Sequence, residues 1–447
     1  MLELWFSHMG GILVGRYRML GVLGLWWMAF AAAACCVVHL PRRGAMVAVV
    51  AGAAVFTSAA WVRGPQTSDD LYRYAWDGTV QAHGIDPYRY PPDDPHLAAL
   101  RDPWLWPSPR TCAVLGKPVN CTRVNRSGDR TIYPPVAEAW FRVLRAVLPP
   151  GTRERGYQVA AGLVGLALTA LLLAALSSAG RNPGWAVLWA WSPIGVAETA
   201  MDAHVDVLAV VAVVAALWAL SRQRAALGGA LLGVGIAIKL IPGLLLPAAV
   251  RRHPLRVAGS AAAVVALSYL PHVLAVGPEV LGYLPGYLQE ENYSAGSRFL
   301  LLRLVGLDGG VAQVVAVAVL AGAAAAVALW REPAPVLTRA RWMVLAAFLV
   351  ATPVQPWYGE ILVAVAVLDG AWELLAVAAA AYPLYFGTIV DVAAPGYGEA
   401  SYGIAALVVV VAAWWRWRAS RGAPPGTRRG RPPAGGRPLA EVGGAGS

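Results

Sequence analysis

The chain has 447 residues, 58% of them hydrophobic and 14% charged, with a formal net charge of +11 and a mean hydropathy of +0.55. Soluble domains carry about 25% charged residues, so the composition excludes an ordinary water-soluble enzyme and describes a membrane protein. The positive balance is almost all arginine, with only two lysines, Lys117 and Lys239. It reads as basic cytoplasmic loops and a basic tail, so no nucleic-acid partner is expected.

Apolar stretches of roughly 20 residues suit helices that cross a bilayer. They fall at 19–40, 44–63, 157–179, 184–200, 203–220, 257–276, 310–331, 342–354, 358–370, 372–391 and 402–418. No cleavable signal peptide is read in the first stretch, which is followed at once by another. Residues 226–250 have arginines at both ends and Lys239, Pro242 and Gly243 near the middle. This segment reads as two short helices meeting at an apex. With that hairpin the arginine clusters all fall in the cytoplasm, and the loops at 64–156, 277–297, 353–358 and 391–401 fall outside. The expectation is an all-α polytopic membrane protein of 11 to 13 segments, with an external N-terminus. Residues 1–418 form one catalytic unit, and 419–447 a disordered basic cytoplasmic tail rich in Gly, Pro and Arg.

The outer loop at 64–156 holds ten of the 25 acidic residues. Its Trp and Pro content suggests short interfacial helices, and a loop of this length with such residues reads as functional. Cys112 and Cys121 lie in it, close enough to pair in an oxidising compartment or to remain two free thiols. Cys35 and Cys36 are intramembrane and read as packing residues.

The chemistry gathers in a few stretches. QTSDDLYRYAWDGTVQAHGIDPYRY, residues 66–90, opens the outer loop with Asp69 and Asp70, followed by Tyr72, Arg73, Tyr74, Trp76 and Asp77. A carboxylate at the edge of the hydrocarbon is partly desolvated, which raises its pKa and makes it a better base. Ser68-Asp69-Asp70 is also a good helix N-cap. Glu198, Asp202, His204 and Asp206 sit together at an outer turn between two spans, where ionisable groups are costly and tend to be functional. Lys239 needs an anionic partner, and a lipid phosphate is a natural one; a side chain snorkelling to the interface is the alternative. Gln355-Pro356-Trp357-Tyr358 offers either an interfacial belt or a platform for a sugar. The loop 286–298 adds Tyr287, Glu290, Glu291, Asn292 and Arg298 on the same side.

Through DLYRYAWDG (70–78), GIDPY (84–88), TIYPPVAEAWF (131–141), ETAMDAHVD (198–206), AIKLIPGLLLP (237–247) and PWYG (356–359), the chain resembles the C-type (GT-C) glycosyltransferases. It is most similar there to the polyprenol-phosphate-mannose-dependent mannosyltransferases and to glycosyltransferase family 87. The resemblance implies a GT-C-like fold and an inverting transfer of a hexose, mannose first, from a polyprenyl-phosphate donor to a glycolipid or lipid-linked glycan outside the cell membrane. It implies Asp70 as general base, with Asp69 the second choice. The substrate-binding set would be Arg73, Tyr74, Trp76, Tyr133, Glu198, His204, Asp206, Lys239, Arg298, Gln355, Trp357 and Tyr358. Lys239, Arg73 and Arg298 would stabilise the leaving phosphate. Membrane lipids are partners, and neither a metal nor a cofactor beyond the co-substrate is expected. Asp86 stands where asparagine is commoner in GIDPY, and the span at 19–40 is an extra one. A transporter or lipid flippase, with Lys239, His204 and Asp206 as a proton path, is the competing reading. No internal repeat supports it.

Overall fold

The computed structural model describes residues 1–114, 116–330, 334–388 and 396–422. Among these, every regular element is helical. Six helices are long and apolar enough to cross a membrane, and three more are apolar but shorter. The chain is therefore an all-α polytopic membrane protein, although several of the expected spans are short or broken.

After a short N-terminal turn, α1 (Leu2–Ser7), come the long helices α2 (Ile12–Val38) and α3 (Arg42–Ala60). The N–H of Ile12 donates to the carbonyl of Gln66, so α2 begins on the face that carries Asp70 despite Arg16 and Arg18. Its far end is held by Asn182 Nδ2, which donates to the carbonyl of Val38. Cys35 and Cys36 are exposed along α2 rather than buried in the protein, a correction to their expected packing role. They face outward on a helix whose buried stripe is Met19, Val22, Leu23, Trp26 and Phe30.

The long loop at 64–156 folds into α4 (Asp70–Ala82), the short α5 (Pro109–Val114) and α6 (Pro135–Val147). Pro134 and Pro135 start α6, with proline at the first helical position where its missing N–H costs nothing. Helices α4 and α6 cross at Gly78, where the Phe141 backbone comes so close that a side chain would not fit. Cys112 and Cys121 are joined by a disulfide. Asp86 Oδ2 lies 2.7 Å from His272 Nδ1, so the acid at this place in GIDPY ties the loop to a distant helix.

Helix α7 (Glu154–Ser178) returns through the core. The expected span at 184–200 is instead a series of turns: residues 183–186, α8 (Val187–Ala190), α9 (Pro193–Val196) and a π-turn at 197–201. Pro183 and the Ser192-Pro193 pair interrupt it, with Ser192 Oγ accepting from the Gly195 N–H to start a new turn. Next are α10 (Asp206–Ser221) and α11 (Ala225–Ile238), which ends in the extended residue Lys239. A 3-10 turn at 241–245 and α12 (Leu246–Ala249) complete the expected pair of short helices meeting beside Lys239.

Then follow α13 (Pro254–Val276), α14 (Leu284–Glu290), α15 (Leu300–Leu304), α16 (Gly309–Leu329), α17 (Val336–Ala351), α18 (Glu360–Asp369), α19 (Leu374–Thr388) and α20 (Tyr397–Gly422). Only 11% of the apolar window of the α13 region and 17% of that of α16 is buried in protein. Surfaces so apolar and so little covered suit contact with lipid. By contrast α18 is buried from Glu360 to Leu368 and forms the centre. The tail expected to be disordered lies, from residue 423 onward, outside the described residues.

Candidate active site

The site forms where the start of α4, the π-turn and the Lys239 break meet the turn at 356–359. Asp70 is the first residue of α4 and is buried, and its backbone N–H is capped by Ser68 Oγ at 3.2 Å. Asp69 occupies the N-cap position without a side-chain capping bond and is exposed. Of the two carboxylates, only Asp70 points into the protein. Its Oδ1 accepts from Asn125 Nδ2 at 2.6 Å, and its Oδ2 lies 3.6 Å from His204 Nδ1.

Burial pushes the Asp70 carboxyl up, but the His204 contact and the positive charges of Lys239 and Arg126 overcome it and hold the group below the usual carboxylate range. This corrects the expectation of a raised pKa. Desolvation is real, yet one imidazole and two cations outweigh it.

Beneath Asp70 the π-turn, a rare form that concentrates at functional sites, presents Glu198, and Asp202 and His204 follow it. Ala203 has φ of +58°, a left-handed backbone that turns the two flanking side chains inward. His204 is fully buried, with its ring stacked on Trp357 at 4.0 Å and 19°. Its Nε2 lies 3.5 Å from Glu198 Oε2, while Glu198 Oε1 accepts from Tyr382 at 2.7 Å. Asp202 accepts from the Gln66 N–H at 2.6 Å and from the Thr67 hydroxyl, locking the segment before α4 onto the turn.

Across the site Lys239 Nζ donates to Asp206 Oδ2 at 3.1 Å and sits over the rings of Tyr358 and Tyr133, at 5.0 and 5.3 Å. Tyr358 shares a 2.7 Å hydrogen bond with Tyr287. The cation is thus caged by one carboxylate and two aromatic faces. Tyr74 stacks on Phe141 at 4.4 Å and packs edge-on against Tyr133, fixing one wall.

Of the expected substrate-binding residues, Tyr74, Tyr133, Glu198, His204, Asp206, Lys239, Trp357 and Tyr358 come together around Asp70. The other four are engaged with other partners. Arg73 is buried in a two-pronged pair with Asp77 at 2.9 Å and also donates to the carbonyls of Arg126 and Asp129. Its Nε and Nη1 are committed to holding the loop, while Nη2 is buried without a hydrogen-bond partner among the described residues. Trp76 is a core residue set edge-on against Trp106. Arg298 pairs with Glu291 at 2.6 Å, and Gln355 donates to the other oxygen of the same carboxylate at 2.5 Å. The last two form a knot that fastens the 284–298 segment.

Two residues of the site carry no sequence signal. Asn125 holds Asp70, and Arg126 supplies the second cation while pairing with Glu290 at 2.5 Å. Both sit in the irregular stretch VNRSGDR, where no spacing or periodicity marks them, and Arg126 has φ of +45°.

Glu198, Asp202 and His204 each offer a ligand atom, all within 4.8 Å of one another. Carboxylate and imidazole suit a divalent cation. However, both Asp202 oxygens are already engaged by residues 66 and 67, and the His204 nitrogens face Asp70 and Glu198.

The profile of glycosyltransferase family 87 matches residues 131–356. The chain belongs to glycosyltransferase family 87. No curated protein and no solved structure matches it. The matched region holds the π-turn, Lys239 and the turn up to Pro356, and leaves Asp70 outside it. Asp70 joins the matched region by geometry: it is a buried carboxylate 3.6 Å from His204 and lies in the field of Lys239.

Proposed function

We propose that this glycosyltransferase moves a hexose, mannose first, from a polyprenyl-phosphate donor to a glycolipid or lipid-linked glycan at the outer face of the membrane, with inversion at the anomeric carbon. The observation that carries the reading is that buried Asp70 lies within the electrostatic reach of Lys239 and Arg126. In such a transfer the leaving group is a phosphate that needs no proton, only positive charge beside it. Lys239 and Arg126 supply that charge, and Asp70 takes the proton of the acceptor hydroxyl as its oxygen bonds to the anomeric carbon. The donor phosphate in turn offsets the cations that hold the Asp70 pKa down, so the carboxylate becomes a better base when donor is bound. Tyr133, Tyr358 and Trp357 supply aromatic surface for the sugar.

The outward orientation is supported by the opposite face. There Arg181 donates to the Leu368 carbonyl, Arg341 pairs with Asp369, Arg416 with Glu373, and Arg339 donates to the Ala248 carbonyl. Arginines gathered at one end of the helices fit a cytoplasmic face, and the disulfide at the other end fits an oxidising one.

The test is turnover of purified protein in lipid nanodiscs, given polyprenyl-phosphate mannose, glucose or arabinofuranose and a membrane glycolipid extract. Asp70→Asn should lower turnover at least about 100-fold, the lower range for loss of a general base, with an unchanged melting temperature. Full activity in Asp70→Asn would overturn the assignment of the base. Substrate uptake into vesicles without any glycosyl product would instead favour a transporter.

A further inference from the structure

The histidine beneath Asp70 is in the wrong place to hold a substrate. Its side chain is fully buried, Trp357 covers one face, and its two nitrogens point along a single line of acids. Nδ1 faces Asp70 Oδ2 at 3.6 Å and Nε2 faces Glu198 Oε2 at 3.5 Å. Both nitrogens and Glu198 Oε2 are buried without a hydrogen-bond partner. Buried polar atoms are nearly always paired, and each of these contacts is only about 0.5 Å beyond an ordinary hydrogen bond. Closing the two gaps satisfies all three atoms at once. Among the described residues neither ring nitrogen has another hydrogen-bond partner, and the nearby Asp202 is held by residues 66 and 67.

We infer that Glu198 and His204 are positioning residues for Asp70, arranged as a carboxylate–imidazole–carboxylate line anchored at its far end by Tyr382. This rests on the reading of Asp70 as base. Tyr382 fixes Glu198 through Oε1, Glu198 fixes the imidazole through Nε2, and Trp357 prevents the ring from turning. Nδ1 then holds Oδ2 of Asp70, while Asn125 holds Oδ1. A carboxylate oxygen has a second lone pair, and that one is left for the acceptor hydroxyl. In the transfer the acceptor oxygen bonds to the anomeric carbon, the bond from that carbon to the phosphate oxygen breaks with its electron pair on the phosphate, and the hydroxyl proton passes to Asp70. His204 and Glu198 touch none of these atoms. They hold the base in the one orientation from which it can act.

The inference is tested by a kinetic cycle on the full-length enzyme in nanodiscs. His204→Ala and Glu198→Ala should each lower kcat about 10- to 100-fold, the size of effect expected when a base is misplaced by about an ångström, with donor and acceptor KM within about twofold. His204→Gln, which can donate to Asp70 through its amide, should recover part of the loss relative to His204→Ala. In an Asp70→Asn background, His204→Ala should cost nothing further, because effects through one residue do not add. A donor KM raised tenfold or more at unchanged kcat would make His204 a substrate ligand and overturn the inference. So would a further loss on top of Asp70→Asn. One tightly bound divalent cation per chain, lost together with activity on chelation, would make Glu198, Asp202 and His204 metal ligands and overturn it as well. A melting temperature lowered equally by His204→Ala and His204→Gln, with equal activity loss, would reduce the line to a structural element and also overturn it. If Asp70→Asn is active, the base assignment fails; if it is inactive while His204→Ala is unimpaired, only the positioning line fails.

Discussion

Lys239 and Asp206 form an ion pair at 3.1 Å, with side chains only 15% and 6% exposed. The lysine ends α11 and the aspartate begins α10, so the pair closes the mouth of the helical hairpin between them. Removing one partner of a buried pair leaves an uncompensated charge, at a cost of about 3 kcal/mol or more. Lys239→Met should therefore both destabilise the protein and lower turnover at least about 100-fold through loss of charge at the phosphate. The double variant Lys239→Met/Asp206→Asn should regain thermal stability and remain inactive. Recovery of turnover in the double variant would show that Lys239 serves only to neutralise Asp206.

Glu138 on α6 gives a pH signature that is independent of catalysis. Burial and then the Asp77 charge push its carboxyl well above the ordinary value of 4.5, while Thr131 donates to it at 2.6 Å and opposes the shift in part. The fold favours the neutral acid, so its contribution to stability is complete below the ordinary value. It is lost as pH rises from there toward the raised folded value. Glu138→Gln keeps a neutral group of the same shape. Melting temperature measured between pH 5 and 8 should fall less steeply with rising pH in Glu138→Gln than in the parent. An identical slope in the two proteins would show that Glu138 is ionised in the fold.

A methyl group at Gly78 would overlap the Phe141 carbonyl oxygen and lie 2.9 Å from its carbon. Helices α4 and α6 have no room to part without shifting the Tyr74–Phe141 stack. Gly78→Ala should cost about 1–3 kcal/mol, the usual penalty for overpacking, and should reduce turnover because α4 carries Asp70. Wild-type melting temperature and turnover in Gly78→Ala would mean that the two helices can separate freely.

Arg126 and Glu290 pair at 2.5 Å with 36% and 42% of their side chains exposed. An ion pair so open to water is worth less than about 1 kcal/mol. Glu290→Gln should leave the melting temperature unchanged but speed hydrogen exchange of residues 284–298, which this pair ties to the 64–156 loop. Arg126→Gln should in addition lower turnover, about tenfold or more, through lost charge near the phosphate. Equal turnover in the two variants would confine Arg126 to fastening the loop.

The stretch TSDD shows how far local pattern reaches. Two adjacent aspartates before a helix read as a base and a cap, and nothing in their spacing separates the roles. Only the turn of α4, with Asp202 gripping residues 66 and 67, directs Asp70 inward and leaves Asp69 outside. Arg73 and Arg298, expected beside the phosphate, are found paired with Asp77 and Glu291 instead. A sequence shows that a guanidinium is present, not which carboxylate already holds it. Asn125 and Arg126 escaped notice because irregular loops have no period from which to infer a facing.

By itself the sequence determined that this is an all-helical membrane protein with its polar chemistry gathered in one long loop and a few breaks between apolar stretches. Hydrophobicity and backbone hydrogen bonding leave a chain of this composition little else to form. The motif series also pointed to the glycosyltransferase family that the profile match established. What only the tertiary structure decided is which ionisable groups face each other. Asp70, His204 and Glu198 are separated by up to 134 and 128 positions along the chain, counting from 70 to 204 and from 70 to 198. Their alignment, and the cations that hold Asp70 ionised, follow from helix packing, and the distances that set electrostatic interaction exist only once the helices are packed.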